Sequence, residues 1–185
     1  MNLENPLERN IFFYTDVTQE TIGEISAIIV EIESHDIRLK KHAAVFGLEY
    51  KPEPIKFYIN TPGGDAYAVL GLIGIMKNCT TPIHTIATGC AMSAGFLMAI
   101  SGHKRFCYES SSYMWHEVGY MVGGKTTEHE ENMLETLRIQ KIIDKTIIEK
   151  TLLTAKDLKK IYRTKQDKFI SAEDALKLGI VDEIL

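Results

Sequence analysis

Twice along this chain an apolar, strand-like run ends in a turn of small residues and passes straight into a segment of helical periodicity. That succession is the tightest constraint on its fold. Ile55 to Asn60 (IKFYIN) alternates and runs into Thr61-Pro62-Gly63-Gly64, after which 65–78 carries Val69, Leu70, Ile73 and Met76 at helical steps. Thr81-Pro82 breaks the chain, 83–88 reads as the next strand, and after Gly89 small residues lead into a short apolar helix over 93–100. Upstream, Asn10 to Tyr14 is a strand, and Asp16 or Thr18 caps a helix whose apolar face is Ile22, Ile25, Ile28, Ile29 and Ile32.

Downstream, 105–108 and 113–116 read as short strands and 119–125 as an extended, glycine-bearing segment. From 127 to about 151 one long helix is expected, with Leu134, Leu137, Ile139, Ile142, Ile143 and Ile147 on its apolar side. At 1.5 Å per residue it would be roughly 36 Å long, so it should project and leave apolar surface for another subunit. Ser171 caps a last helix over 172–178, Gly179 ends it, and 180–185 returns as a strand. Strands alternating with helices predict an α/β fold of short βα units stacked on one another.

A chain of 185 residues, 45% of them hydrophobic, is expected to fold as one domain with a sizeable core. A formal charge of −4 gives no reason to expect nucleic acid or an anionic membrane as partner. Cys79, Cys90 and Cys107 are an odd count without a CxxC pair, which excludes a disulfide scaffold and a cysteine-based zinc site and fits a reducing compartment. There is no apolar run long enough to span a bilayer, and MNLENPLERN is unlike a secretory signal, so a cytoplasmic location is expected. Ser34 to Pro54 is more polar and reads as a helix extension followed by a surface loop.

The sharpest chemical signal is Gly89-Cys90-Ala91-Met92-Ser93-Ala94-Gly95, lying after a strand and opening a helix. Small neighbours let the backbone turn sharply and expose the Ser93 hydroxyl beside unpaired helix N–H groups, which suits a serine nucleophile. An ordinary helix N-cap is the competing reading. Among the six histidines, His116 ends a strand where catalytic groups commonly sit, and a half-buried structural histidine is its alternative. His129 lies in Glu128-His129-Glu130-Glu131, a solvated helix face rather than a metal site. Asp167 precedes the last helix and reads locally as a loop acid that could fold back. Gly63-Gly64 presents backbone N–H groups for an oxyanion or simply makes a tight turn; it matches neither nucleotide-binding glycine pattern.

Four segments together carry a resemblance. Tyr58 to Gly64 (YINTPGG), Gly89 to Gly95 (GCAMSAG), Tyr113 to His116 (YMWH) and Asp167 to Ala175 (DKFISAEDA) resemble, in order and spacing, the proteolytic subunits of the Clp protease family. The resemblance spans about 7 to 185 as one peptidase domain, with an insertion over 34–54 and a handle region over about 117–151. It implies a crotonase-like fold of stacked ββα units and an ATP-independent serine endopeptidase core. It implies Ser93 as nucleophile, His116 as general base, Asp167 as orienting acid, and the Gly64 and Ala94 N–H groups as oxyanion hole. No metal or organic cofactor is implied.

The implied substrates are peptides or unfolded proteins lying beside the glycine-bearing strand. The implied assembly is a homo-oligomer of seven-membered rings, two of which form a tetradecameric chamber fed by an unfoldase ATPase. Few residues precede the first strand, where the family has a longer segment that meets the ATPase, so docking of that partner is not expected to follow the family pattern. Glu117-Val118 stands where the family commonly has Gln-Pro. A non-catalytic ring subunit and a specialised peptidase, for instance one for phage maturation, are the alternatives.

Overall fold

The structure, a computed structural model, describes residues 8–119, 126–164 and 166–185. Strand β1 (Asn10–Phe13) leads to helix α1 (Gln19–Val45), then β2 (Ile55–Thr61), α2 (Ala66–Asn78), β3 (Ile83–Met92) and α3 (Ala94–Ile100). Next come β4 (Lys104–Cys107), β5 (Ser112–Trp115), α4 (Thr126–Lys150), α5 (Ala155–Thr164), β6 (Lys168–Ser171), α6 (Ala172–Lys177) and β7 (Glu183–Ile184). Strands β1, β2, β3, β4 and β7 lie side by side in that order, all parallel. The far end of β3 also pairs with β5, and β5 pairs antiparallel with β6. This is the expected α/β class. Among the described residues no helix is long and apolar enough to cross a membrane.

Local sequence explains most boundaries. Thr18, not Asp16, caps α1: its hydroxyl accepts from Thr21 N, and Thr21 Oγ1 accepts from Thr18 N. Ile22, Ile25, Ile29 and Ile32 then bury one stripe, while Ile28 is left at the surface. In α2 the buried positions are Ala68, Val69, Leu72 and Met76, so Leu72 takes the place expected for Leu70 and Ile73, which are only partly buried. Strand β3 runs past Gly89 to Met92. Its pairing with β2 jumps from Ile59↔Ala87 to Thr61↔Ala91, so two extra residues bulge out of β3.

The long helix α4 buries Ile139, Ile143 and Ile147, whereas Leu134, Leu137 and Ile142 of the expected apolar side are exposed. Helix α5 and strand β6 were not anticipated. Thr154 accepts from Asp157 N and Asp157 Oδ2 accepts from Thr154 N, a reciprocal cap that starts α5. The extended segment expected over 119–125 lies outside the described residues after Gly119.

The 34–54 segment is tied down by one buried carboxylate. Asp36 accepts two hydrogen bonds from Arg9 (2.6 and 3.0 Å), one from Tyr50 (2.7 Å) and one from Thr81 (2.7 Å). Arg9 also donates to the Glu53 carbonyl, so the edge of β1, the extension of α1, its returning loop and the α2–β3 turn meet at one ion pair. Burial opposes the charge on Asp36, but hydrogen bonds from Arg9, Tyr50 and Thr81 outweigh it and hold the carboxyl below the usual range. Burial, then the Asp36 carboxylate, pushes the Tyr50 phenol up to about 12.

Because the folded carboxyl is the stronger acid, its contribution is complete above the unfolded value of ~3.9 and is lost as pH falls through the lower folded one. Arg9→Ala, which leaves the buried carboxylate without its cation, is expected to cost about 3 kcal/mol in urea unfolding at pH 7. Asp36→Asn is expected to flatten the loss of stability below ~pH 4, read from urea midpoints across that range.

Candidate active site

The site forms where two turns press together. The β2–α2 turn brings Gly63 and Gly64 across the end of β3, with φ of 107° and 145° that favour glycine. A Cβ on Gly63 would stand 2.8 Å from Ser93 Cβ and 2.6 Å from the Met92 carbonyl; one on Gly64 would stand 2.2 Å from the Val17 carbonyl. Val17 N donates to Gly63 O and Asp65 N to Val17 O (both 2.8 Å), which fixes the turn from its far side. The contact is reciprocal: Asn60 Oδ1 accepts from Cys90 N at 2.9 Å, filling the β3 bulge.

Ser93 is the one non-glycine residue with positive φ among the described residues (φ 53°, ψ −115°). Such strain persists only where neighbours enforce it. Here the Ser93 N–H donates to the Met114 carbonyl at 2.9 Å, and the helix that follows is buried at every position. The residue stands at the N-cap position of α3, yet its side chain makes no capping bond. Its Oγ instead lies 2.9 Å from His116 Nε2. The N-cap alternative therefore fails, and two residues 23 positions apart in sequence are joined.

His116 follows β5 directly, its ring lying against that of Trp115. Its Nδ1 is 2.5 Å from the Glu117 carbonyl oxygen. A carbonyl can only accept, so Nδ1 carries the proton and Nε2 is left bare toward the hydroxyl, as a general base requires. The exposed Glu117 carboxylate has no part in this contact.

Gly64 and Ala94 line one cavity of about 410 Å³ together with Ser93 and His116. Neither backbone N–H has a partner among the described residues, and two such donors beside a nucleophile can receive an oxyanion. The cavity floor is apolar, from Val69, Leu97, Trp115, Ile139 and Ile143. Its rim carries Glu135, which accepts two bonds from Arg138 and one from Tyr67; Arg138 first, then Tyr67, hold the carboxyl down to about 2.

Asp167 is not joined to the pair. Its side chain is exposed and lines a different cavity, with Lys160 and Phe169. The β5–β6 register nevertheless runs Ser112↔Ser171 to Trp115↔Lys168, so the next pair along would be His116 opposite Asp167. Sequence reasoning did not single out the Glu135 rim or the polar contacts flanking His116; α5, on which one of these rests, had a readable cap in Thr154-x-x-Asp157.

A strained serine paired to a base-ready histidine, beside two free N–H groups, suits acyl transfer. The sequence profile of the family described as Clp protease matches residues 4–185. The chain belongs to the Clp protease family. A relative, the ATP-dependent Clp protease proteolytic subunit of Deinococcus radiodurans, is 28% identical over 180 residues, covering 96% of this chain and 80% of that protein. As a member of the Clp protease family the chain is a serine-type endopeptidase with the α/β fold of that family.

Gly64→Ala meets both a forbidden φ and the Val17 carbonyl, so it displaces an N–H donor. The expected result is a 10²–10³-fold drop in the rate at which a fluorophosphonate labels Ser93, on the order of one lost oxyanion donor. In-gel labelling kinetics measure it.

Proposed function

We propose that Ser93, His116 and Asp167 act as a catalytic triad, with Gly64 and Ala94 N–H as oxyanion hole, cleaving peptides inside a ring-shaped oligomer of this chain. The observation that carries the reading is the 2.9 Å Ser93–His116 hydrogen bond at a strained elbow. His116 Nε2 takes the hydroxyl proton as Ser93 Oγ attacks the peptide carbonyl. The oxyanion is held by the two N–H groups. Nε2 then protonates the leaving amine, and water repeats the sequence on the acyl-enzyme.

Asp167 enters by one further step of the β5–β6 ladder. Pairing of 116 with 167 carries the carboxylate to the Nδ1 proton and displaces the Glu117 carbonyl. A carboxylate there stabilises the imidazolium that forms during attack, which a carbonyl dipole does less well. The apolar cavity floor suits an apolar side chain on the acyl side of the cleaved bond.

The oligomer reading is supported by apolar surface on the outer part of α4, where Met133, Leu134 and Leu137 are exposed. Heptameric rings stacked in pairs are the arrangement proposed. Hydrolysis of the bond itself consumes no nucleotide, so short peptides are expected to be cleaved without ATP, whatever ATPase delivers larger substrates. The alternative of a non-catalytic ring subunit has less support, since it gives no reason for a base-ready histidine on a strained serine.

Labelling by a fluorophosphonate and hydrolysis of a fluorogenic peptide are expected from the unaltered chain and absent in Ser93→Ala. Asp167→Asn is expected to lower kcat by on the order of 10²–10⁴-fold. Labelling that persists in Ser93→Ala would overturn the assignment, and a monomeric mass in light scattering at micromolar concentration would overturn the ring.

A further inference from the structure

His116 is held from both sides by one group of polar side chains outside the cavity. The Trp115 indole N–H donates to the Tyr162 hydroxyl at 3.2 Å, and the Val118 N–H donates to Gln140 Oε1 at 2.7 Å. Gln140 Nε2 donates to the Tyr162 hydroxyl at 2.8 Å and to Asp144 Oδ1 at 2.7 Å, and the Tyr162 hydroxyl donates its proton to Asp144 at 2.6 Å. Every proton is used once: two from the amide, one from the phenol, one from the indole and one from the backbone. Such a closed set has a single low-energy arrangement.

Gln140 is buried. Burial, then Asp144, raises the Tyr162 phenol, so its hydroxyl keeps the proton it donates. None of the three side chains lines the Ser93 cavity. Their reach is mechanical: Tyr162 sets the indole, the indole is wedged against Phe96 (5.6 Å) and lies at 27° to the His116 ring, and Gln140 fixes the backbone two residues further on. The Val118 N–H exists only because a proline does not stand there.

We propose that Tyr162 and Gln140, buttressed by Asp144, are positioning residues that set the His116 ring for proton transfer from Ser93. The proposal rests on the peptidase reading above. A displacement of about 1 Å between base and nucleophile is enough to cost ~10²-fold in rate, whereas of the apolar cavity floor only the Trp115 indole is hydrogen-bonded to this group. The expected signature is therefore a loss in kcat with little change in KM.

The test uses the full assembled chain with a fluorogenic peptide. Tyr162→Phe keeps the ring and removes only the hydroxyl; Gln140→Met keeps the volume and removes both polar ends. Each is expected to lower kcat roughly tenfold or more with KM within about twofold. Each is also expected to move the His116 imidazole nitrogen resonances. Should one variant fail to fold, the other carries the test. Folded variants with kcat within about twofold of the parent and unmoved His116 resonances would overturn the proposal. If the parent neither hydrolyses peptide nor takes a fluorophosphonate, the peptidase reading falls, and the resonances alone decide the positioning role: moved in both variants, it stands; unmoved, it is wrong.

Discussion

The site depends on two βα turns approaching more closely than side chains allow. Gly63 lies where a Cβ would overlap Ser93 Cβ, and Gly95 lies where one would meet the Thr61 methyl at 2.5 Å. The turns thus interlock through absent atoms, and backbone N–H groups reach positions that side chains would otherwise fill. The strained φ of Ser93 is one consequence, because the elbow cannot relax without driving into the glycine turn. The pair of free donors at Gly64 and Ala94 is the other.

Around that contact the polar groups divide the labour. The Asp36 ion pair holds the long α1 extension against β1 and the α2–β3 turn, remote from the cavity. The Tyr162 group ties α4 and α5 to the segment bearing His116. Arg105 donates to Asp182 and to the carbonyls of Lys150 and Gly179, fixing where α4 ends. Ser93 is thereby held by backbone packing, while the residues on either side of His116 are held by side-chain hydrogen bonds. The β5–β6 ladder keeps its register but ends at Trp115↔Lys168, one pair before His116 and Asp167.

Much of this was legible in the residues. An alternating run ending at a glycine turn marked β2, the run between Thr81-Pro82 and Gly89 marked β3, and Thr18 was one of two caps offered for α1. Phase was lost in α2 because a helix that is apolar nearly all round has no polar face to fix which side turns inward. The apolar side of α4 was overdrawn because burial there follows contact with the core, which its apolar residues make only from Ile139 onward. Helix α5 was missed because its many lysines hid the apolar spacing of Leu158, Ile161 and Tyr162. Strand β6 was missed because only Ile170 of its four residues is buried. Serine and histidine were each ambiguous locally, and the hydrogen bond that joins them depends on tertiary contact that local sequence does not display. Asp167 was singled out only by resemblance, and the β5–β6 register ends one pair before it would meet His116.

The most direct test of this account is a crystal structure of the assembled chain with a peptide boronate. The account predicts a tetrahedral boron on Ser93 Oγ. One boron hydroxyl should lie within hydrogen-bonding distance of both Gly64 N and Ala94 N, with the His116 Nδ1 proton on Asp167. An adduct on another residue, or a boron hydroxyl turned away from both N–H groups, would contradict it.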